Sequence, residues 1–235
     1  MWFPDWPLRR PDAPQGEPCQ VVDDRNLVTA ADERARHAGV RTGMRRREAE
    51  ALCPTVVTLT ADPGAEAVAF EPVAAAVETI IPRVEVAHPG LLFVPMEGAL
   101  RYYGGEQPIV AAVVAGLERT AGAGGRVGVA EGPFAARMAA ADPPVIITDT
   151  ASFLANLDVG ALGIGEVVDT FRWLGIGTLG DLRSMPRAAI ASFAPSPAEL
   201  ITLSFSFAWR PASDTLKSPE TINATALSWC ILPSK

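Results

Sequence analysis

The spacing of apolar residues along the chain predicts an alternation of short strands and amphipathic helices. Short apolar runs bounded by turn residues predict strands at residues 20–22, 27–30 and 56–59. Residues 66–81 carry apolar side chains at helical spacing, which predicts an amphipathic helix despite Pro72. Further helices are predicted at residues 31–37, 45–52, 107–119 and 133–141, and further strands at residues 84–86, 91–94, 126–130 and 145–147.

The order of these elements indicates the fold class. Over residues 56–130 the order strand, helix, strand, strand, helix, strand is typical of a ferredoxin-like sheet with two helices on one face, so we predict an α+β fold. From Ala151 the pattern changes to short helices separated by tight turns, which predicts a small helical unit at residues 151–195. The predicted organisation is one domain at residues 1–150, this helical unit, and an irregular tail at residues 196–235.

The tail differs from the rest of the chain in composition. Eighteen of the twenty basic residues are arginines, the last of them Arg210, whereas the two lysines are Lys217 and Lys235. The tail is rich in Ser and Thr and lacks helical periodicity, although residues 200–209 alternate as in a strand. We expect the tail to be disordered and to result from a frameshift or a truncation.

Charge and hydropathy exclude two classes of protein. The net charge of −7 argues against a protein that binds nucleic acid with its whole surface. Residues 34–47 nevertheless hold six arginines and no acid, and form either a local nucleic-acid contact or a solvated helix face. The mean hydropathy is +0.19, but no apolar run approaches the roughly 18 residues of a membrane span. We therefore expect no membrane partner. The opening residues Met1-Trp-Phe-Pro-Asp5 show no basic stretch followed by an apolar core, as a signal peptide would, so we expect a cytoplasmic protein.

Cysteine and histidine residues offer little candidate chemistry. Cys19, Cys53 and Cys230 are odd in number and far apart, so they support neither a disulfide framework nor a zinc site. His37 and His88 have no acidic or nucleophilic neighbour at informative spacing, so no catalytic dyad is predicted.

The segment Leu162-Gly163-Ile164-Gly165 lies between two predicted helices and has the spacing of a helix-hairpin-helix motif. Glycines in such a turn allow backbone amides to approach a phosphate at a helix N-terminus. Apolar residues farther along, from Val168 to Leu182, have the spacing that would hold the hairpin together. The alternative is an ordinary helical corner.

Several sequence blocks resemble those of one protein family. They are Ala35-Arg-His-Ala-Gly-Val-Arg-Thr-Gly-Met44, Glu48-Ala-Glu-Ala-Leu-Cys-Pro54, Phe70-Glu-Pro-Val73, Pro82-Arg-Val-Glu-Val86 and the turn at Leu162. Together they are similar to the Y-family (UmuC/DinB-like) translesion DNA polymerases over about residues 1–193. The blocks Trp2-Phe-Pro-Asp-Trp-Pro7, Gly43-Met-Arg-Arg-Arg-Glu48 and Arg101-Tyr-Tyr-Gly104 resemble the ImuB branch of that family.

The resemblance implies a three-part architecture. The ferredoxin-like sheet would be a palm, small fingers would be inserted at about residues 14–60, and the helical unit from about Ala151 would be a thumb. The family normally has a further DNA-gripping domain after the thumb. We expect this chain to lack that domain and any clamp-binding peptide beyond it.

The same resemblance implies that the metal-binding carboxylates are largely lost. Active members have an early Asp-x-Asp-x-Phe-Phe strand and a later Ser-x-Asp-Glu hairpin. If Asp5 matches the second aspartate of the strand, Phe3 occupies the position of the first, which binds metal. In the later block Met96 occupies the aspartate position and Glu97 remains. Two magnesium ions roughly 3.5–4 Å apart need several converging carboxylates, so we predict no metal site.

The nucleotide-binding positions are also altered if the resemblance holds. In the family's Tyr-x-x-Arg pair, Arg36 is kept but Glu33 replaces the tyrosine. Pro133 replaces the family's phosphate-neutralising lysine, while Arg137 matches a later basic position.

Three structural alternatives remain open: Asp5 is only a turn residue, Glu97 only accepts hydrogen bonds at a hairpin tip, and Arg36 only pairs with Asp32 one helical turn away.

We therefore expect a catalytically inactive homologue that acts as an adaptor in damage-induced translesion synthesis. Arg45, Arg46 and Arg47 would contact template or partner, and Gly163, Ile164 and Gly165 would contact DNA phosphate. The resemblance implies four partners: primer-template DNA, a sliding clamp, a RecA-like accessory protein and an error-prone replicative-type polymerase. The alternatives are an active translesion polymerase that uses Mg²⁺ held by Asp5 and Glu97, and a nonfunctional remnant.

Overall fold

The computed structural model describes residues 1–186 apart from Gln15, Ala123 and Ile164. The chain divides into two compact units, one of residues 1–127 and one that begins at Gly128. Residues 187–195 at the end of the predicted helical unit, the strand-like residues 200–209, the tail and Cys230 lie outside the described residues. The domain limits near residues 150 and 195 stay predictions.

The first unit consists of two sheets and the helices that pack on them. Its strands are β1 (Cys19–Val22), β2 (Val28–Ala31), β3 (Val57–Thr60), β4 (Glu85–His88) and β5 (Leu91–Phe93). Its helices are α1 (Glu33–His37), α2 (Arg46–Leu52), α3 (Pro63–Glu78), α4 (Glu97–Tyr103) and α5 (Glu106–Ala121), with a 3₁₀ turn at Trp6–Leu8. The sequence pattern predicts these elements to within a few residues, except for α4 and the 3₁₀ turn.

The first three residues of the chain extend the β4–β5 hairpin into a sheet of four segments, called the larger sheet below. Trp2 forms antiparallel bridges to Leu91 on one side and to Arg126 on the other. The Phe3 amide donates a hydrogen bond to the Gly90 carbonyl at 2.7 Å. Because β5 in turn pairs with β4, the order across the sheet is Arg126, residues 1–3, β5, β4. This is the strand order of a ferredoxin-like sheet, with α3 and α5 packed against each other.

The prediction of which strand comes first in that sheet is wrong. The order of the predicted elements put residues 56–59 in this position, although the family resemblance placed them in the inserted fingers. In the structure β3 pairs in parallel with β1 in a separate sheet whose order is β2-β1-β3. Residues 1–3 fill it instead. Three residues before Pro4 are too few to show a strand pattern, and their place is decided by hydrogen bonds to residues about 90 and 120 positions away.

The smaller sheet and helices α1 and α2 share a core of small apolar side chains. Val22 and Val28 from the sheet pack with Ala35 of α1, Ala49 of α2 and Val40 between the helices. Alanine at the helix positions allows α1 and α2 to approach the sheet closely. Their polar and charged residues therefore lie on the outer surface, where the arginines of residues 34–47 are exposed.

The second unit combines a small parallel sheet with short helices. Its elements are β6 (Gly128–Val129), α6 (Pro133–Ala139), β7 (Val145–Ile146), α7 (Thr150–Ala155), a 3₁₀ turn (Val159–Leu162), α8 (Gly165–Trp173) and α9 (Leu179–Ser184). Val159, Val168, Phe171, Ile176 and Leu182 form the core of its helical part. In neither unit does a described helix have the length and apolar character needed to cross a membrane.

The two described cysteines are buried and unpaired. Cys19 lies at the start of β1 and Cys53 follows α2. Burial raises the pKa of the Cys19 thiol to about 11, so its reactive thiolate form is scarce at neutral pH. Both residues therefore contribute to packing, and they form no disulfide with each other.

A comparison of two glycines tests how tightly the larger sheet packs on its first residues. Gly90 and Gly43 both have φ +88°. A Cβ at Gly90 would lie 2.6 Å from the Trp6 Cβ, whereas a Cβ at Gly43 meets nothing within 4 Å. Gly43→Ala should cost about 1 kcal/mol for its backbone conformation alone, and Gly90→Ala about 1–3 kcal/mol more because of the collision. Urea unfolding measures both; equal losses would contradict this packing.

Candidate active-site region and nucleic-acid interface

Phe3 lies in a closed aromatic cluster with Trp6 and Phe70. Phe3 is only 2% exposed. Its ring meets Trp6 edge-on at a centroid distance of 5.5 Å and Phe70 at 6.1 Å, and the Trp6 and Phe70 rings are 4.8 Å apart. The Trp6 indole N–H donates to the Glu66 carbonyl at 3.1 Å, which fixes the indole against α3. Edge-to-face packing of this kind adds to the stabilisation from burial.

Arg9 and Gly125 close the cluster on its remaining sides. The Arg9 guanidinium lies 5.0 Å from the centre of the Phe3 ring and donates to the Ala121 carbonyl at 2.6 Å. Burial lowers the pKa of Arg9. A Cβ on Gly125 would lie 2.8 Å from the Phe3 ring, so the backbone there touches the ring directly. The side chain of residue 3 is therefore enclosed by aromatic rings, backbone and a cationic guanidinium, and this closed, mostly apolar site disfavours a metal cation.

Asp5 lies in the turn predicted for it and forms an ion pair with Arg36. Its carboxylate accepts hydrogen bonds from both terminal nitrogens of Arg36, at 2.7 and 3.4 Å. The alternative in which Arg36 only pairs with Asp32 is wrong, because the carboxylate beside its guanidinium is that of Asp5. Asp32 instead caps the N-terminus of α1 by accepting from the Ala35 amide at 2.7 Å. A helix cap accepts a hydrogen bond from a backbone amide that has no partner within the helix, and this is the role of the Asp32 side chain.

Met96 and Glu97 belong to the start of α4. The Met96 carbonyl accepts from the Leu100 amide at 3.1 Å, and Glu97 is exposed in the first helical turn. The expectation that Glu97 lies at a hairpin tip is therefore wrong. The hairpin beside residues 1–3 is β4–β5, and the residues between its two strands are Pro89 and Gly90. Neither of these residues carries a carboxylate.

These positions do not fit a two-metal centre. Residue 3 is a buried phenylalanine, the carboxylate of Asp5 is engaged by Arg36, and Glu97 lies on an exposed helix. Throughout the part of the chain that the structure describes, no group of three or more His, Cys, Asp or Glu side chains is placed to hold a metal ion. Hard divalent cations close together require several converging carboxylates.

The arginines at the start of α2 differ in their partners. Arg45, Arg46 and Arg47 are all exposed. Arg46 donates to Glu50 one turn along the helix at 2.6 Å, and this hydrogen bond holds the pKa of Glu50 below its usual value. Within the described residues Arg45 and Arg47 form no ion pair. Two of the three guanidinium groups are therefore available for an anionic partner.

The glycine-rich turn of the second unit lies between a 3₁₀ turn and α8. Gly163 ends the 3₁₀ turn in the left-handed conformation with φ +72°, and Gly165 begins α8. Ile164 between them lies outside the described residues. The amide of Val159 donates to the Gly177 carbonyl at 2.9 Å, which ties this turn to the later one before α9. Gly163 is exposed, so its backbone can reach a ligand.

Comparison with solved structures identifies the fold. The chain is similar to DinB from Sulfolobus solfataricus, with a TM-score of 0.66 and 18% identity over 87% of this chain and 65% of that chain. It is also similar to the insertion ternary complex of Dbh DNA polymerase, with a TM-score of 0.63 and 19% identity over 87% and 65%. The chain thus spans slightly less than two thirds of these structures. No curated protein matches its sequence.

A family model decides the membership. The model of the impB/mucB/samB family matches residues 8–141, which is more than half of the chain. The chain belongs to this family. The solved structures show in addition that its fold is similar to that of DinB and Dbh DNA polymerase.

The other positions that the resemblance assigns to a nucleotide site lie on α1 in the first unit and on α6 in the second. Glu33 is exposed in the first turn of α1. Pro133 is the first residue of α6 and follows Gly132, whose φ is +85°. Pro133 has no amide to donate and no charge to offer a phosphate. Arg137 is half-buried in the last turn of α6 and is already engaged in a contact there.

Sequence reasoning missed the groups that surround Phe3. Arg9, Phe70 and Gly90 contact it or its neighbour Trp6 from three different segments of the chain. Only one signal in the sequence indicates the cluster, namely the density of aromatic residues in the first six positions. The pairing of Asp5 with Arg36 has no local signal, because 31 positions separate them.

Substitution at Phe3 tests whether this position can carry a metal ligand. Phe3→Leu should cost about 1–2 kcal/mol of unfolding free energy, because it keeps an apolar side chain. Phe3→Asp should cost about 3–5 kcal/mol, because it removes the ring, leaves a cavity and buries a carboxyl group whose charge the neighbouring Arg9 guanidinium offsets only in part. Chemical unfolding with and without Mn²⁺ measures this. Recovery of the lost stability by Mn²⁺ in Phe3→Asp would contradict the interpretation of a closed apolar site.

Proposed function

We propose that this chain is a catalytically inactive Y-family polymerase homologue that binds DNA and serves as an adaptor in damage-induced translesion synthesis. The observation that carries the proposal is the position of Phe3. A buried aromatic cluster fills the place where the resemblance puts a metal-binding aspartate. The inferred role is binding rather than nucleotide transfer.

Electrostatics support the loss of nucleotide transfer. Metal ions in a polymerase bridge and neutralise the charges of the reacting phosphates, so the reaction depends on carboxylates that hold those ions. Of the expected carboxylates, Asp5 is paired with a guanidinium and Glu97 is an exposed residue on a short helix. Glu33 adds a negative charge to α1, the helix that also carries Arg36. This arrangement disfavours a metal-bound triphosphate.

Two surfaces are suited to the DNA backbone, each within its own unit. The unpaired Arg45 and Arg47 are exposed in the first unit, and the exposed turn at Gly163 precedes α8 in the second. Arginine is suited to phosphate because its planar donors match the phosphate oxygens. For a chain with net charge −7, we expect weak and salt-dependent binding, in the range of roughly 10⁻⁴–10⁻⁶ M typical of non-specific DNA contacts.

The adaptor role requires protein partners. The resemblance to the ImuB branch implies a sliding clamp, a RecA-like accessory protein and an error-prone replicative-type polymerase, and we retain these three as predictions. The cytoplasm is the compartment in which they would meet DNA. No cofactor is required for this role.

A primer-extension assay tests the loss of activity. With a primed template, the four deoxynucleotides and Mg²⁺ or Mn²⁺, the purified chain should add no nucleotides above the no-protein background, because it cannot hold a metal pair. Glu97→Ala should leave this background unchanged. Templated extension that Glu97→Ala abolishes would instead establish an active polymerase with a reduced carboxylate set.

A comparison of arginine variants tests the DNA surface. The double variant Arg45→Gln/Arg47→Gln should bind a primer-template several-fold more weakly and reduce the slope of log K against log salt by about 2 if each arginine contacts one phosphate. Arg46→Gln is the matched control and should have a smaller effect, because Arg46 is held by Glu50. Fluorescence anisotropy over a salt series measures both. An Arg46 effect equal to or larger than that of the pair would contradict the assignment.

A further inference from the structure

Helix α3 is apolar around most of its circumference, although only one side of it is buried. Of its sixteen residues, the charged ones are three glutamates, and none is a lysine or an arginine. The side chains of Phe70, Val73 and Val77 are buried in the first unit. A helix that is apolar all round is normally covered on every side. The outer side of α3 is therefore suited to contact with another molecule.

The outer side of α3 carries apolar residues at coiled-coil spacing. Four exposed residues follow one another at intervals of three, four and three positions, namely Ala65, Val68, Pro72 and Ala75. This is the spacing of the a and d positions of a heptad, whose side chains form the seam between two packed helices. Val68 is 66% exposed, although valine is usually a buried residue. These four residues are called the outer seam below.

Two exposed glutamates border the outer seam along one edge. Glu71 directly precedes Pro72, and Glu78 follows seven positions later, so both occupy the g position of the same heptads. Within the part of the chain that the structure describes, neither glutamate forms an ion pair. Charges at the e and g positions of packed helices select a partner of opposite charge. This edge therefore favours a partner with lysine or arginine beside it.

Pro72 leaves a backbone acceptor on the same surface. Proline has no N–H group, so Pro72 cannot donate the usual helical hydrogen bond to the Val68 carbonyl. Helix α3 nevertheless continues through Pro72 to Glu78. Lysine and arginine carry several N–H donors each, which suit both a carboxylate and a carbonyl. The outer seam thus combines an apolar stripe with groups that accept hydrogen bonds from a basic side chain.

We propose that the outer seam of α3 binds an amphipathic helix of a protein partner, whose apolar face is bordered by lysine or arginine residues. Nucleic acid is disfavoured here, because the glutamates repel phosphate. A second copy supplies no cation to them. In an antiparallel pair of α3 helices glutamates would face glutamates, and in a parallel pair they would face Ala69 and Ala76.

The proposal adds a protein-binding surface to the adaptor role, and it rests on that role only for the existence of a partner. The experiment contains neither DNA nor nucleotide, so its result does not depend on polymerase activity. Templated primer extension would refute the inactive-homologue proposal and leave this surface intact. Failure of the peptide experiment would refute only the surface.

The probes are two synthetic heptad peptides of equal length with leucine at a and d. One peptide carries lysine at e and g, and the other carries glutamate there, so that each repels its own copies. Fluorescence anisotropy of the labelled peptides measures binding to the full chain. The lysine peptide should bind at least about tenfold more tightly than the glutamate peptide. Binding of neither peptide would overturn the proposal.

A matched pair of valine variants separates specific binding from general charge attraction. Val68→Glu changes the outer seam, and Val86→Glu makes the same change at a 45% exposed valine of β4. Val68→Glu should weaken binding of the lysine peptide at least about tenfold, because it places a charge in an apolar contact. Val86→Glu should not weaken it. General attraction to an acidic chain would strengthen binding in both variants, and that result would overturn the proposal.

A charge reversal tests the acidic edge. The double variant Glu71→Lys/Glu78→Lys should prefer the glutamate peptide, because the edge has changed sign. An unchanged preference would overturn the proposal. Sedimentation of the chain alone tests the other occupant, since self-association that Val68→Glu abolishes would assign the outer seam to a second copy instead.

Thermal unfolding checks that each variant is folded. Glutamate has a higher helix propensity than valine, so Val68→Glu should fold at this exposed helical position. If it does not, Val68→Gln replaces it, with Val86→Gln as the matched control. The same weakening at residue 68 alone is expected from this second pair.

Discussion

The pairing of residues 1–3 between β5 and Arg126 is the constraint on which the rest of the first unit depends. It supplies the central strand of the larger sheet. It also fixes the direction of Phe3, whose ring is buried with Trp6 and Phe70. The side chains of a strand alternate between its two faces. A backbone held in this register therefore directs the side chain of residue 3 into the cluster with Trp6 and Phe70. The chemistry available near residue 3 follows from this register.

The same segment links the two sheets of the first unit electrostatically. The turn after Pro4 brings Asp5 to Arg36 on α1, which packs on the smaller sheet. A carboxylate is thereby neutralised by an arginine of the same chain. In an active polymerase, carboxylates bind metal and arginines bind phosphate, and the metal and phosphate then meet in the reaction. Here each group satisfies the other, which is consistent with a protein that retains the fold and uses it for binding.

Local patterns predicted most elements, but not how the strands associate. The apolar runs at residues 20–22 and 56–59 are visible in the sequence, and the structure has β1 and β3 close to these positions. Their parallel pairing with each other has no local signal. A segment of three residues is too short to show a strand pattern, so the order of the predicted elements put residues 56–59 in the larger sheet in place of residues 1–3. The motif match identified Phe3, Asp5 and Arg36. The Asp5–Arg36 ion pair and the contact of Arg9 with the Phe3 ring are visible only in the structure.

Counting bound divalent cations tests directly whether this chain can hold a catalytic metal pair. Mn²⁺ is titrated into the chain together with a primer-template and a non-reactive deoxynucleoside triphosphate analogue, and free Mn²⁺ is followed by electron paramagnetic resonance. If the Phe3 cluster replaces the metal site, the mixture binds no more Mn²⁺ than the DNA and nucleotide bind in the absence of protein. Saturable binding of two further Mn²⁺ ions per chain, lost on substitution of Asp5 or Glu97, would contradict it.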